Sequence, residues 1–157
     1  MKFSPRIISA QKIMLAIGLF VLLGFIVIPA IASDRFVAHG DGTVTDTKTG
    51  LIWAAKDNGG PINWKDAYTY CQNYSGGGHT NWRMPTLAEL SSLYDPKKKN
   101  KHGYHVNKQI GISVQSCWAS ETRGSKAARF NFTYGQVYWL RQFYSGPSRV
   151  IPVRSGN

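Results

Sequence analysis

Hydrophobic positions are unevenly spread along this chain: an uncharged apolar run from Ile13 to Ile28 gives way, after residue 32, to short segments whose period keeps changing. Gly40-Asp41-Gly42 and Thr49-Gly50 separate three β-branched or apolar segments, Arg35 to Ala38, Thr43 to Asp46 and Leu51 to Ala54. Turn residues at that spacing predict a small antiparallel meander, with Val44, Leu51 and Trp53 facing inward. Gly59-Gly60-Pro61 closes it, and Asn63 then serves as the N-cap of a helix with Asp66 in its first turn, where a negative charge suits the helix dipole. Trp64, Ala67, Cys71 and Tyr74 follow at i, i+3, i+7 and i+10, which makes one buried stripe and carries the Cys71 thiol inward.

Ser75-Gly76-Gly77-Gly78 predicts a loop, and Thr86 with Glu89 forms the T-x-x-E capping box of a second helix that places Leu87, Leu90 and Tyr94 on one side. Asp95-Pro96 stops that helix. Lys97, Lys98, Lys99, Lys101 and His102 come next with no apolar period, the pattern of an exposed and mobile loop. Beyond Cys117-Trp118, Ala128, Phe130 and Phe132 alternate with Arg129, Asn131 and Thr133, and Tyr134-Gly135-Gln136 turns into a partner strand from Val137 to Leu140. After the loop Ser145-Gly146-Pro147-Ser148 a last strand spans Arg149 to Arg154, in which Pro152 marks an edge or a bulge. Two helices among short antiparallel strands, without internal repeats, read as an α+β domain.

The apolar run changes the picture of the compartment. Lys2, Arg6 and Lys12 precede it, no acid does, and Ala30-Ile31-Ala32 follows it. That order predicts a secretory signal peptide over residues 1–32 and a single domain over 33–157. From Ile13 to Ala32 the uncharged stretch is 20 residues, long enough to span a bilayer if it is retained, so the alternative is a membrane tether. Pro29, just before the small-residue site, favours cleavage. The expected location is periplasmic or secreted. All 8 acids but only 16 of the 19 basic residues lie beyond residue 32, leaving that part with a formal charge of +8. Such a balance suits a polyanionic partner, or serves solubility alone. The two cysteines, Cys71 and Cys117, read first as a disulfide in an oxidising compartment. A bridge closing 46 residues would stabilise by about 4 kcal/mol in the chain-entropy view. The alternative is a free reactive thiol, although nothing in the local sequence activates either sulfur.

Several segments together resemble the bacterial Lcl C-terminal domain family, named for the tail of a collagen-like adhesin. They are Gly40 to Asp46 with Thr49-Gly50-Leu51-Ile52-Trp53, the helix around Ala67 to Cys71, Trp82-Arg83-Met84-Pro85-Thr86 with Glu89-Leu90, Cys117-Trp118-Ala119-Ser120, and Val153-Arg154. The resemblance covers nearly all of the chain beyond the signal. It implies a fold similar to the C-type lectins, and for function it implies binding of sulfated glycans and surfaces. Members of the family often carry a cysteine in the last strand as partner of the helix cysteine. This chain has Val150-Ile151-Pro152-Val153-Arg154 there, which leaves Cys117 as the partner for Cys71.

Calcium-dependent C-type lectins are marked by Glu-Pro-Asn or Gln-Pro-Asp with Trp-Asn-Asp, none of which occurs here, and eight acids are too few for a multi-carboxylate cage. His102 and His105 form an H-x-x-H pair beside lysines that repel cations, with no further ligand nearby, so neither metal nor cofactor is expected. His39 and His79 stand alone in glycine-rich loops. The Trp-Arg-Met-Pro-Thr segment also resembles formylglycine-generating enzymes, yet those depend on reactive cysteines. No catalytic residue is therefore assigned. The candidate ligand-binding residues are basic, Lys97, Lys98, Lys99, Lys101, Arg123, Lys126, Arg129 and Arg141, joined by Tyr138 and further by Tyr134 and Tyr144 as stacking surface. The expected protein is an exported, non-enzymatic module whose partner is an acidic polysaccharide or another cell-surface polyanion. The alternatives are an envelope interaction module with a protein partner or in a homo-oligomer, and, least supported, a modifying enzyme. Export argues against nucleic acid as the main ligand.

Overall fold

A computed structural model describes residues 34–156. The predicted signal, residues 1–32, lies outside the described residues. Eight strands and two helices follow in chain order: β1 (Phe36–Ala38), β2 (Thr43–Asp46), β3 (Leu51–Ala54), α1 (Trp64–Gln72), α2 (Leu87–Leu93), β4 (Ser116–Arg123), β5 (Lys126–Asn131), β6 (Gln136–Arg141), β7 (Ser148–Arg149) and β8 (Val153–Ser155). They build two four-stranded sheets, ordered β1-β2-β3-β8 and β6-β5-β4-β7.

The first sheet is the expected meander, with Val44 opposite Trp53 and both buried. Its fourth strand comes from the far end of the chain, where Val153 pairs with Trp53. The single last strand expected over Arg149 to Arg154 is instead divided. Ser148 and Arg149 run parallel to β4 in the second sheet, whereas Val153 to Ser155 join the first. Pro152 sits at the crossing. Without an N–H it cannot donate to either ladder, but its carbonyl still accepts from Ala54 N at 2.9 Å.

Both helices begin as their caps predict. Asn63 accepts from Asp66 N, and Thr86 and Glu89 close a reciprocal capping box. On α1, Ala67 and Cys71 are buried. On α2 the buried pair is Leu90 and Leu93, and Tyr94 stands half-buried beyond the helix end. The second sheet is covered on both faces. One face, with Cys117, Ala128, Phe130 and Trp139, joins α2 and the first sheet in the main core, around Trp53, Leu90, Ile112, Phe132 and Val153. The other carries Trp118, Ala127 and Leu140 and packs with Ala67, Cys71 and Val150 under α1.

That alternation bears on the cysteines. The expected Cys71–Cys117 bridge is not present, and both are free, buried thiols. Along β4, Trp118 faces α1 while its neighbour Cys117 belongs to the main core on the opposite face, because successive strand residues point to opposite sides.

The Trp82 to Thr86 segment ties the sheets together. Arg83 and Val153 exchange backbone hydrogen bonds of 2.9 and 3.0 Å, and Ser120 N donates to Pro85 O at 2.9 Å. Between Trp118 and Thr122 the β4–β5 register slips, the mark of a bulge. Glu121 lies in that interval, and its carboxylate takes the Leu87 N–H at the start of α2 at 2.9 and 3.0 Å.

Candidate functional site

Most of the acids are occupied by partners within the fold. Asp46 pairs with Arg35, Glu89 with Arg83, Asp57 with Arg149, and Asp95 with Lys98. Asp41 accepts from the Thr43 N–H and hydroxyl, Asp66 from Asn63, and Glu121 from the Leu87 N–H. The Thr43 hydrogen bonds hold the Asp41 carboxyl below its ordinary value. Burial opposes the charged forms of Asp46 and Glu89, but hydrogen bonds from Arg35 and Arg83, together with the charges of those arginines, hold both carboxyls below the usual range. With four ion pairs drawn from 16 bases, 12 basic residues have no carboxylate partner among the described residues.

The lysine segment is the exposed loop that its composition predicts, and hydrogen bonds fasten it at several points. Asn100, buried between exposed lysines, donates through Nδ2 to Ile110 O at 3.1 Å and Ile112 O at 2.7 Å. Its Oδ1 accepts from His102 N at 2.9 Å and Tyr104 N at 3.2 Å. Further along, Asp95 N donates to His105 O and His105 N to Phe132 O, which fastens the loop to the end of β5. Gly111 closes the far side: its N–H donates to Ala55 O at 2.8 Å, and an added Cβ would stand 2.7 Å from that oxygen, so only glycine permits the approach. This contact sets Lys56 beside the loop. Lys98, Lys99 and Lys108 line one hollow together with Asp34, and Lys56, Lys101 and Lys108 line the next. Lys56 and Lys108 thus belong to the cluster although the sequence did not single them out.

The remaining candidates lie elsewhere. Arg123, Lys126 and Arg141 occupy one row across β4, β5 and β6. Lys126 is six residues from Phe132, where the lysine loop is attached, a span of about 20 Å along a strand. The Arg123 guanidinium carbon lies 4.0 Å from the centre of the Trp139 ring, and that of Arg141 lies 5.8 Å from Phe143. Arg129 and Tyr138 pair on the sheet's other face, the one covered by α1. The basic candidates therefore fall into three separate groups. Tyr134 is exposed in the β5–β6 turn.

Among the described residues no group of three His, Cys, Asp or Glu side chains is placed to hold a metal ion. His102 is exposed, and His105 Nδ1 lies 3.2 Å from Lys98 O. Burial pushes the Cys71 thiol up to about 12, and burial with the neighbouring Asp57 charge raises Cys117 well above its ordinary value. Neither sulfur is a thiolate at neutral pH, the form that nucleophilic chemistry requires.

A search of curated proteins finds no match to this chain. Residues 42–154 match the model of the Lcl C-terminal domain, and the chain belongs to that family.

Proposed function

We propose that the protein is an exported, non-enzymatic binding module for acidic glycans or another surface polyanion. The observation that carries this reading is the allocation of charge. Seven of the eight acids serve caps, turns and ion pairs, Asp34 alone lining a hollow among the lysines. Lys97, Lys99 and Lys101 stand exposed with no carboxylate partner among the described residues, on a pinned loop joined by Lys56 and Lys108. A rigid array of cations attracts a polyanion without first paying the entropy of ordering the loop. The buried, protonated thiols support a non-enzymatic role over a formylglycine-generating one. Pairing of β3 with β8, which joins the two ends of the domain in one sheet, supports a C-type lectin-like fold. Export through a signal over residues 1–32, with cleavage after Ala32, places that surface outside the cytoplasm.

A second reading rests on β6. It is an edge strand, with Val137 44% and nearby Tyr134 63% exposed, which suits pairing with a protein partner or a second copy. Chromatography separates the two. Protein purified after expression of the full chain should bind a heparin column at 50 mM NaCl and elute as salt rises. Passage through the column at that salt would remove the polyanion reading, and a stoichiometric partner retained at high salt would favour the second.

A further inference from the structure

Among the described basic residues, Arg129 has two aromatic rings beside its guanidinium where Arg35, Arg123 and Arg141 have one each. It sits mid-strand in β5, with Trp118 of β4 and Tyr138 of β6 as its cross-strand neighbours. Its guanidinium carbon lies 5.8 Å from the ring centres of both Tyr138 and Tyr144, so one aromatic ring comes from the neighbouring strand and one from the β6–β7 loop. Nη1 donates to Ser148 Oγ at 2.9 Å. Nε is sealed from solvent with no hydrogen-bond partner, and no carboxylate among the described residues pairs with the group. Burial pulls this guanidinium below the usual arginine range, as expected where a positive charge has lost water and gained no counter-ion.

A second unfilled polar atom stands beside it. Ser116 is fully buried, and its Oγ has no partner. In register, Ser116 lies next to Ser148 of β7, and it is two residues from Trp118 on the same face as Arg129. Native structures leave few buried polar groups unpaired, and two of the four found among the described residues, Ser116 Oγ and Arg129 Nε, fall in this one patch. The walls are held in place. Tyr138 donates its phenol to Gln136 Oε1 at 2.9 Å, and Tyr144 lies so close over Gly146 that an added Cβ would overlap its ring. Both tyrosines remain partly open, at 36% and 38% exposure.

We propose that this patch is a recognition site for the carboxylate of an acidic sugar, with Arg129 taking the carboxylate and the open faces of Tyr138 and Tyr144 receiving the sugar ring. The planar guanidinium matches a carboxylate in a two-point contact, and flat aromatic faces suit the apolar face of a pyranose. The proposal rests on the glycan-binding reading and names a site within it that is distinct from the lysine loop. Occupancy supplies the missing counter-charge.

The test is a titration of the purified full-chain product with glucuronate, followed by the Arg129 Nε–Hε resonance and by tyrosine fluorescence. Glucose, acetate and inorganic sulfate serve as separate arms. Glucuronate should bind saturably in the millimolar range, shifting the Arg129 signal. Acetate should bind more weakly, because it lacks the ring, and glucose should not bind. Arg129→Met should weaken glucuronate binding at least tenfold. Arg129→Lys, which keeps the charge and loses the fork, should weaken it several-fold in a folded protein. A static Arg129 signal up to 20 mM glucuronate, or sulfate binding equal to glucuronate, would overturn the proposal. Retention on heparin, measured on the same sample, reports separately on the polyanion reading.

Discussion

Replacing Asn100 by alanine should both weaken the fold and disperse the lysine cluster, without removing a single charge. The side chain bridges four backbone groups: it donates to Ile110 O and Ile112 O and accepts from His102 N and Tyr104 N. His102 is exposed, so water replaces the lost partner there at little cost. Ile110 and Ile112 are fully buried, and their carbonyls would lose the Asn100 donors in the interior. An unsatisfied buried acceptor costs about 1–3 kcal/mol, so the two together predict a loss of about 3 kcal/mol. For a domain of this size that is a fall in Tm of roughly 10 °C. Asn100→Asp is isosteric yet should be at least as damaging, because it sets a carboxylate oxygen against two carbonyl oxygens. Urea unfolding reads the stability change as a shift in midpoint at unchanged slope. Heparin elution, run well below the variant's Tm, reads the functional consequence as a lower eluting salt. A stability change under about 0.5 kcal/mol with unchanged elution would refute the view that Asn100 pins the loop.

Changing Lys97, Lys98, Lys99 and Lys101 together to glutamine should weaken polyanion binding by about 2 kcal/mol at low salt, roughly thirtyfold, with a further drop when Lys56 and Lys108 are added; equal affinity by calorimetry would place the binding surface elsewhere. Asp46 and Glu89 have folded-state pKa values below their unfolded ones, so their contribution is full above the unfolded values and is lost as pH falls through about 4 and then through the depressed folded values. Asp46→Asn should therefore flatten the acid limb of a Tm-against-pH curve, and an unchanged limb would count against the Arg35 pairing. Unreduced protein should take up two equivalents of iodoacetamide once denatured and almost none when native, since both thiols are free and buried. Absence of labelling after denaturation would show a bridge.

What was legible in the sequence was local. The Thr86–Glu89 capping box, the Asn63 cap and the glycine-punctuated strands each depend on residues a few positions apart, and each formed as its pattern predicts. The hairpin of β5 and β6 also formed, with Asn131 opposite Gln136. What was not legible came from pairings between distant segments. A lysine-rich stretch without apolar period reads as mobile, and only the contacts of Asn100 with Ile110 and Ile112 show it pinned. Lys56 carries no local signal at all, because its place beside the loop depends on the bridge to Gly111. The last strand read as one element since nothing in Val150-Ile151-Pro152 says that the two ends of the run enter different sheets. The cysteine pair read as a bridge because counting sulfurs does not reveal which face of β4 each one shares.

The basic residues divide by environment into two kinds, and salt should tell them apart. Lys97, Lys99 and Lys101 are exposed, so their attraction for a polyanion is screened over a Debye length of about 8 Å at physiological ionic strength and about 3 Å at 1 M. Arg129 is half-buried between two tyrosines with its Nε sealed from solvent, and a contact made there is screened far less. A long acidic glycan engaging both would be captured through the lysine array, with a steep salt dependence, and held at one sugar by the arginine, with a shallow one. The affinity of a carboxylated polymer should then fall steeply with added salt and level off at a plateau, whereas a sulfated polymer without carboxylates should fall without one. Arg129→Met should abolish the plateau and leave the steep limb in place, since the lysines that produce that limb line hollows of which Arg129 is not part.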